Sequence, residues 1–183
     1  MHSHVAFLRA INVGGHTVKM DRLKTIFVSM GFESVQTVIA SGNVLFQTKK
    51  SNAGELESLI EKTLKVELSY EVATFVRTAN DVARIAGSKP FAKNLLEKAM
   101  ALNVIFLREE LTAENQRKVM GLKSAMDYFS LKGREIFWLC LKKQSESEFS
   151  NAIFEKELKV HSTFRGMKTV QRIASALQRV GPP

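Results

Sequence analysis

The sequence predicts an α+β protein built from duplicated ferredoxin-like β-α-β-β-α-β halves, packed or intertwined, with a C-terminal helix. Two observations lead there. Short β-prone runs and segments with apolar residues at helical spacing alternate in the same order twice along 183 residues. The letters also echo: Phe7-Leu8-Arg9 returns as Phe106-Leu107-Arg108, Gly42 as Gly133, and Glu61-Lys-Thr-Leu-Lys-Val66 as Glu155-Lys-Glu-Leu-Lys-Val160. The drift in spacing between these matches implies loops of unequal length. The expected domains are 1–88 and 89–183, the second holding the connection and the terminal helix.

Residues 5–11 form an apolar run closed by Asn12 and Gly14-Gly15, which predicts a mostly buried strand ending in a glycine loop. Met20, Leu23, Ile26, Phe27 and Met30 repeat at helical spacing and stop at Gly31, a residue suited to left-handed φ at a helix end. Residues 34–40 and 44–48 are β-prone and separated by Ser41-Gly42-Asn43, as in an antiparallel hairpin. Asn52-Ala-Gly-Glu55 offers a capping box ahead of Leu56, Leu59, Ile60 and Leu64, and residues 70–77 complete the first half.

Thr78-Ala-Asn-Asp81 caps another helix that stops near Gly87, and residues 88–99 make a connection too apolar at Phe91, Leu95 and Leu96 to swing freely. The second half then reads as a strand over 101–107, a helix capped by Thr112, a hairpin through Lys132-Gly133-Arg134, a helix capped within Ser145-Glu-Ser-Glu148, and a short extended piece before the last helix.

Composition excludes several classes. Apolar residues make up 45% and charged residues 25%, with 10 Gly and 3 Pro, a balance that supports a packed core and argues against disorder or collagen. Neither a membrane-length apolar run nor a secretory leader is present in the letters, which predicts a cytoplasmic protein. Cys140 is the one cysteine, so no internal disulfide forms, and its place in an apolar run reads as a packed hydrophobe rather than a nucleophile. His2 and His4 are expected in a frayed terminus, and His16 and His161 are isolated, so no metal site or cofactor is expected. Phe129 and Phe137-Trp138 are expected in the core rather than as an exposed base-stacking platform.

Lys plus Arg number 27 against 18 Asp plus Glu, a formal charge of +9 that favours anionic partners. The surplus leans toward the C-terminus, where Arg165, Lys168, Arg172 and Arg179 would share one face of a helix within about 60° of arc. Such a stripe is a solvated face or a contact for nucleic-acid phosphates.

The strongest candidate site is Asn12-Val13-Gly14-Gly15-His16, a glycine loop between a strand and a helix that opens near Lys19. Free amides at a helix start, glycines that let a ligand approach the backbone, and a nearby lysine make an anion cradle. Neither G-x-x-x-x-G-K-[ST] nor G-x-G-x-x-G occurs, so ordinary nucleotide-loop assignments fail, and a tight turn alone also wants glycine. Arg9, sharing a strand face with Phe7 and Ile11, needs a structural partner or a bound anion, and Arg108 holds the equivalent place in the second half.

Read together, Phe7-Leu8-Arg9-Ala10-Ile11-Asn12-Val13-Gly14-Gly15-His16, Val18-Lys19-Met20, Gly31-Phe32 and Ser41-Gly42-Asn43-Val44-Leu45-Phe46 resemble a bacterial family of unknown function opened by a Leu-Arg-Gly-Ile-Asn-Val-Gly-Gly signature. The likeness continues through Val76-Arg77-Thr78, Pro90-Phe91, Gly133-Arg134-Glu135 and the tail. It implies paired ferredoxin-like halves and no particular reaction. The family's Thr-Arg-Asn-Trp before the last helix is here Phe164-Arg165-Gly166-Met167, which keeps only the arginine.

The expected function is a binding module for a phosphate-bearing small ligand, held by Arg9, Asn12, Gly14, Gly15, Lys19, Ser41, Asn43 and Arg165. The alternatives are non-specific nucleic-acid binding through the terminal helix and an enzyme acting on a small anionic substrate. No catalytic constellation is identified. A titratable side chain within hydrogen-bond reach of the glycine loop would favour the enzyme.

Overall fold

A computed structural model of the chain describes residues 1–12, 15–39 and 42–179. The chain divides into two units, one formed by Met1–Ala86 with the segment from Gln171 onward, the other by Gly87–Val170. The expected second domain kept the whole terminal helix; here that helix is shared by the division, and its part from Gln171 groups with the first unit.

The first unit runs β1 (His2–Leu8), α1 (Met20–Ser29), β2 (Glu33–Thr37), β3 (Asn43–Thr48), α2 (Ala53–Leu68), β4 (Thr74–Thr78) and α3 (Ala79–Ala86). Its strands form an antiparallel sheet in the order β2-β3-β1-β4. The second unit runs α4 (Lys93–Lys98), β5 (Ala101–Leu107), α5 (Ala113–Gly121), β6 (Asp127–Lys132), β7 (Glu135–Cys140), a 3₁₀ turn at Gln144–Glu146, α6 (Asn151–Leu158) and β8 (Ser162–Gly166), with the start of α7 (Met167–Arg179). Its sheet order, β6-β7-β5-β8, repeats the first, so both units have the β-α-β-β-α-β topology.

In the first unit Ala6, Leu8, Val44, Phe46 and Val76 meet Leu23, Ile26 and Phe27 of α1 and Leu56, Ile60 and Leu64 of α2. Burying each large apolar side chain contributes roughly 1.5–3 kcal/mol, which is why the helical periodicity in the letters fixes this face. The second unit packs Phe129, Trp138, Phe149, Phe154 and Phe164 under its helices, so the sequence's expectation for Phe129 and Trp138 holds. The Trp138 indole N–H donates to Asp127 Oδ1 at 2.8 Å, and Ser147 Oγ donates to the same oxygen at 2.9 Å. Burial draws the Asp127 carboxyl pKa upward, but these bonds and those from Cys140 and Ser124 outweigh it and hold the group ionised. Cys140 is fully buried, and burial pushes its thiol pKa up, as suits a packed side chain.

The repeated letters have a hydrogen-bonding cause. Glu61 Oε1 accepts the Thr74 amide at 2.9 Å, and Glu155 Oε1 accepts the Ser162 amide at 2.7 Å. Each glutamate ties the helix that precedes the last strand of its unit to the start of that strand. Gly42 and Gly133 are not true equivalents, however. The Leu8 amide donates to Gly42 O at 2.8 Å, and its counterpart Leu107 donates to Arg134 O at 3.0 Å, so Arg134 takes the place of Gly42.

Several boundaries differ from expectation. β1 stops at Leu8 because Ala10 turns into positive φ of 57°. The connection contains the short helix α4, with Phe91, Leu95 and Leu96 half-buried. The cap of α6 is Ser150, whose Oγ accepts the Ile153 amide at 3.3 Å, while Ser147 accepts the Phe149 amide instead. The basic stripe loses a member: Arg165 lies in β8, before the helix begins, leaving Lys168, Arg172 and Arg179 on the exposed face of α7. His2 begins β1 instead of fraying, and His4 is completely buried against the Phe46 ring, with centroids 5.5 Å apart.

Two predictions follow from this packing. Gly42 has φ of +72°, and a Cβ there would stand 2.7 Å from Ile11 Cγ2 and 3.1 Å from Leu8 O. Gly42→Ala is expected to cost at least about 2 kcal/mol, whereas Gly15→Ala, with φ +87° and open space, costs about 1 kcal/mol; urea midpoints measure both. His4 Nδ1 lies 3.1 Å from the His2 carbonyl, which assigns the proton to Nδ1, and Nε2 has no partner among the described residues. Burial holds the imidazole pKa below its ordinary 6.5, with the His2 carbonyl bond opposing the shift. The unfolded chain therefore binds the proton more readily, and stability falls as pH drops from 6.5 toward the lowered folded value. His4→Leu should flatten that fall in urea melts taken at about pH 7.5 and about pH 5.

Candidate functional site

The sheet order brings three connections to one end of the first unit. β1 lies between β3 and β4, so the segment after β1, the β2–β3 turn and the entry to β4 meet there. Backbone bonds fasten them: the Leu8 amide to Gly42 O and the Arg9 amide to Ala73 O, both at 2.8 Å. The far side of the loop is closed by Asn12, whose Oδ1 accepts the Val18 amide at 2.7 Å. Ile11 and Val18 sit in the core at 2% and 6% exposure, anchoring the loop on both sides.

What remains outward is short and polar. Gly15, His16, Thr17 and Lys19 are exposed, and Gly15 uses a φ of +87°. Lys19 precedes α1 and gives no side-chain cap, so the first amides of the helix are left for solvent or a ligand. Among the described residues, no hydrogen bond ties the Gly15, His16 or Thr17 amides to a protein acceptor. An anion here meets the positive end of the helix and the Lys19 ammonium, while Asp21 in the first turn opposes it.

Two aromatic side chains complete the corner. Tyr70, just after α2, donates its hydroxyl to the Ile11 carbonyl at 3.1 Å, and the His16 ring stacks on it with centroids 3.9 Å apart and planes 22° from parallel. Burial raises the Tyr70 pKa, and the nearby Arg22 charge acts against the rise. Arg22 itself is exposed and donates through Nη2 to the Glu67 carbonyl at 2.6 Å, joining α1 to the end of α2. Tyr70 is thus a titratable group within reach of the loop, but its proton is engaged by a backbone oxygen, so it acts as a clamp and not as a base.

The sequence-based site is brought together in part. Arg9, Asn12, Gly15 and Lys19 share the corner; Gly14 and Ser41 lie outside the described residues. Arg9 is half-buried and follows the last residue of β1. Asn43 is completely buried, and its Nδ2 donates to Val38 O at 3.0 Å, so its amide shapes the β2–β3 turn. Asn12 likewise shapes the loop through Oδ1.

Arg165 belongs to the second unit and sits in β8 opposite Val104. Its Nη1 donates to Phe164 O and Thr163 Oγ1, each at 2.8 Å, and burial pushes its pKa down to about 10, which still leaves it charged at neutral pH. Arg77 takes the same place in the first unit, opposite Val5, with 1% exposure and an Nη1 bond to Val76 O at 2.8 Å. Arg77 and Arg165 are therefore a duplicated pair, while Arg9 and Arg108 hold equivalent places just after β1 and β5, where Arg108 is exposed.

Residues 1–137 match the family described as "Protein of unknown function (DUF1697)". The chain belongs to that family. The part matched to DUF1697 contains the corner, the whole of α1 through α5, and β6. The fold is similar to the structure of conserved bacterial protein SP0830 from Streptococcus pneumoniae, with a TM-score of 0.77 and 24% identity over 97% of this chain and 99% of that one. Comparison with proteins of curated function gives no match. Among the described residues, no helix is long and apolar enough to cross a membrane, and no group of three or more His, Cys, Asp or Glu is placed to hold a metal ion.

Arg22 and Tyr70 are outside the sequence-based site, and His16, part of its glycine loop, is not among the residues expected to hold the ligand. The contact from Tyr70 to Ile11 spans 59 positions of sequence, and only the strand order brings them together. Tyr70→Phe removes the hydroxyl and keeps the stacked ring. It is expected to cost about 1 kcal/mol in urea denaturation and to speed amide exchange at Gly15–Thr17 relative to β3.

Proposed function

We propose that the protein is a binding module for a small phosphate-bearing ligand, taken at the corner between β1 and α1. The observation that carries this reading is the exposed Gly15-His16-Thr17 backbone beside Lys19 at the uncapped start of α1. Its shape is preset by the Asn12 bond to Val18 and the Tyr70 bond to Ile11, so little ordering is required when an anion arrives. In this reading the amides and Lys19 hold phosphate oxygens, Arg9 adds charge from the end of β1, and the His16 edge supplies a further ring nitrogen. Asn12, Asn43 and Tyr70 position the loop without touching the ligand.

Titration calorimetry of the whole chain with pyrophosphate tests the reading. Binding is expected, weaker with added salt, and Lys19→Ala should reduce it about tenfold, or about 1.4 kcal/mol, without moving the urea midpoint. Arg9→Ala should act in the same direction, while Lys118→Ala on α5 leaves binding unchanged. Absence of heat up to about 10 mM pyrophosphate, or equal binding by the wild type and Lys19→Ala, overturns it.

A further inference from the structure

We infer that the outer edge of β6, with the groove beside it, takes up an extended acidic peptide as an added strand. β6 is the terminal strand of its sheet, and among the described residues it pairs with β7 alone. Gly133, with φ of +60°, and Arg134 connect Lys132 to its partner Glu135, as in a two-residue hairpin. From that closing pair the alternation of an antiparallel ladder points the amides and carbonyls of Lys132, Ser130 and Tyr128 toward β7. Those of Leu131 and Phe129 point away from the sheet. The ends of the strand agree: Met126 O accepts from Leu141 on the β7 side, and Asp127 O, facing outward, accepts from Ser124. Beyond Asp127 the outward groups of Phe129 and Leu131 have no protein partner among the described residues.

Beside this edge lies an open groove of about 620 Å³ between α5 and β6, lined by Gln116, Arg117, Met120, Phe129 and Leu131 among others. Met120 is 49% exposed, unusual for a large apolar side chain, and methionine adapts to varied apolar partners. A strand laid against β6 would drop alternate side chains into the groove and present the others on the opposite face, with Tyr128, Ser130 and Lys132.

Charge selects the occupant. Of the nearby acids, Glu114 pairs with Lys118 at 2.8 Å and the Asp127 carboxylate accepts from Trp138, Ser147 and Ser124, while Glu110 stands at the hairpin tip beside Gly133. Arg117, Lys123 and Lys132 are exposed and have no ion pair among the described residues. Lys123 stands over the Tyr128 ring at 5.2 Å from its centroid, and Lys132 over Phe137 at 5.9 Å. A second copy of the chain would bring the same three cations against their own kind. A segment alternating apolar residues for the groove with Asp or Glu for the lysine face meets both demands.

The test is selection of random twelve-residue linear peptides, about 12 positions long, on the whole folded chain. Recovered peptides are expected to alternate acidic and apolar residues and to shift the backbone amide resonances of Phe129, Ser130 and Leu131. Lys123→Glu, which reverses a charge beside Tyr128 on the lysine face, should weaken them about tenfold. Leu131→Pro, which removes an outward amide and no ladder bond, should abolish binding, with circular dichroism to verify the fold. Recovery of no peptide, of peptides without acidic bias, or of peptides bound equally by Lys123→Glu overturns the inference. Self-association that Leu131→Pro abolishes also overturns it, since the occupant would then be a second copy.

Discussion

The amide of Leu8 reaches the carbonyl of Gly42, and the geometry of the first unit's exposed corner depends on that bond. It joins β1 to the turn between β2 and β3 at a point where no side chain fits. Any Cβ on residue 42 would enter the space of Ile11 and Leu8, so glycine is required there by packing as well as by its positive φ. Ile11, buried beside that glycine, carries the carbonyl that Tyr70 grips. The order of dependence thus runs from a backbone constraint, through one core isoleucine, to an aromatic clamp and the loop it steadies.

The duplicated topology keeps what the backbone needs and varies what solvent sees. Both units retain a glutamate that receives the first amide of the last strand, and both bury an arginine opposite a valine of the central strand. The connection from the first strand to the first helix, by contrast, runs from Arg9 to Lys19 in one unit and only from Arg108 to Thr112 in the other. In the shorter version the helix is capped by its own Thr112, which accepts the Asn115 amide at 3.3 Å. The longer version has no such side-chain cap, and its Gly15, His16, Thr17 and Lys19 are exposed.

Much of this architecture was legible because it rests on local periodicity and capping. Thr78 and Asp81 exchange bonds as a capping box should, and Gly31 ends α1 in the left-handed region. The glutamate echo was legible because the same bond is made twice. The arginines were harder. Alternation assigns a residue to a face of a strand but not to a partner, so Arg9 seemed to be the buried one, whereas the turn at Ala10 ends the strand first. Arg165 kept step with the helical spacing of the cations that follow, yet that helix starts only at Met167. At the candidate site, the glycine loop and Lys19 could be read from adjacent letters. Tyr70 could not, because its role exists only once distant strands have paired.

The division of the chain also has a temporal side. The first unit draws its last piece from beyond Val170, so the intervening unit is an insertion in its contour. During synthesis the nascent amino-terminal portion must wait, incomplete, until the segment from Gln171 has been made, while the inserted portion has all its residues earlier. Closing so long an excursion carries only a logarithmic entropic penalty, so the arrangement is cheap at equilibrium. Its burden falls on kinetics, in the interval when the early sheet exists without the end of α7.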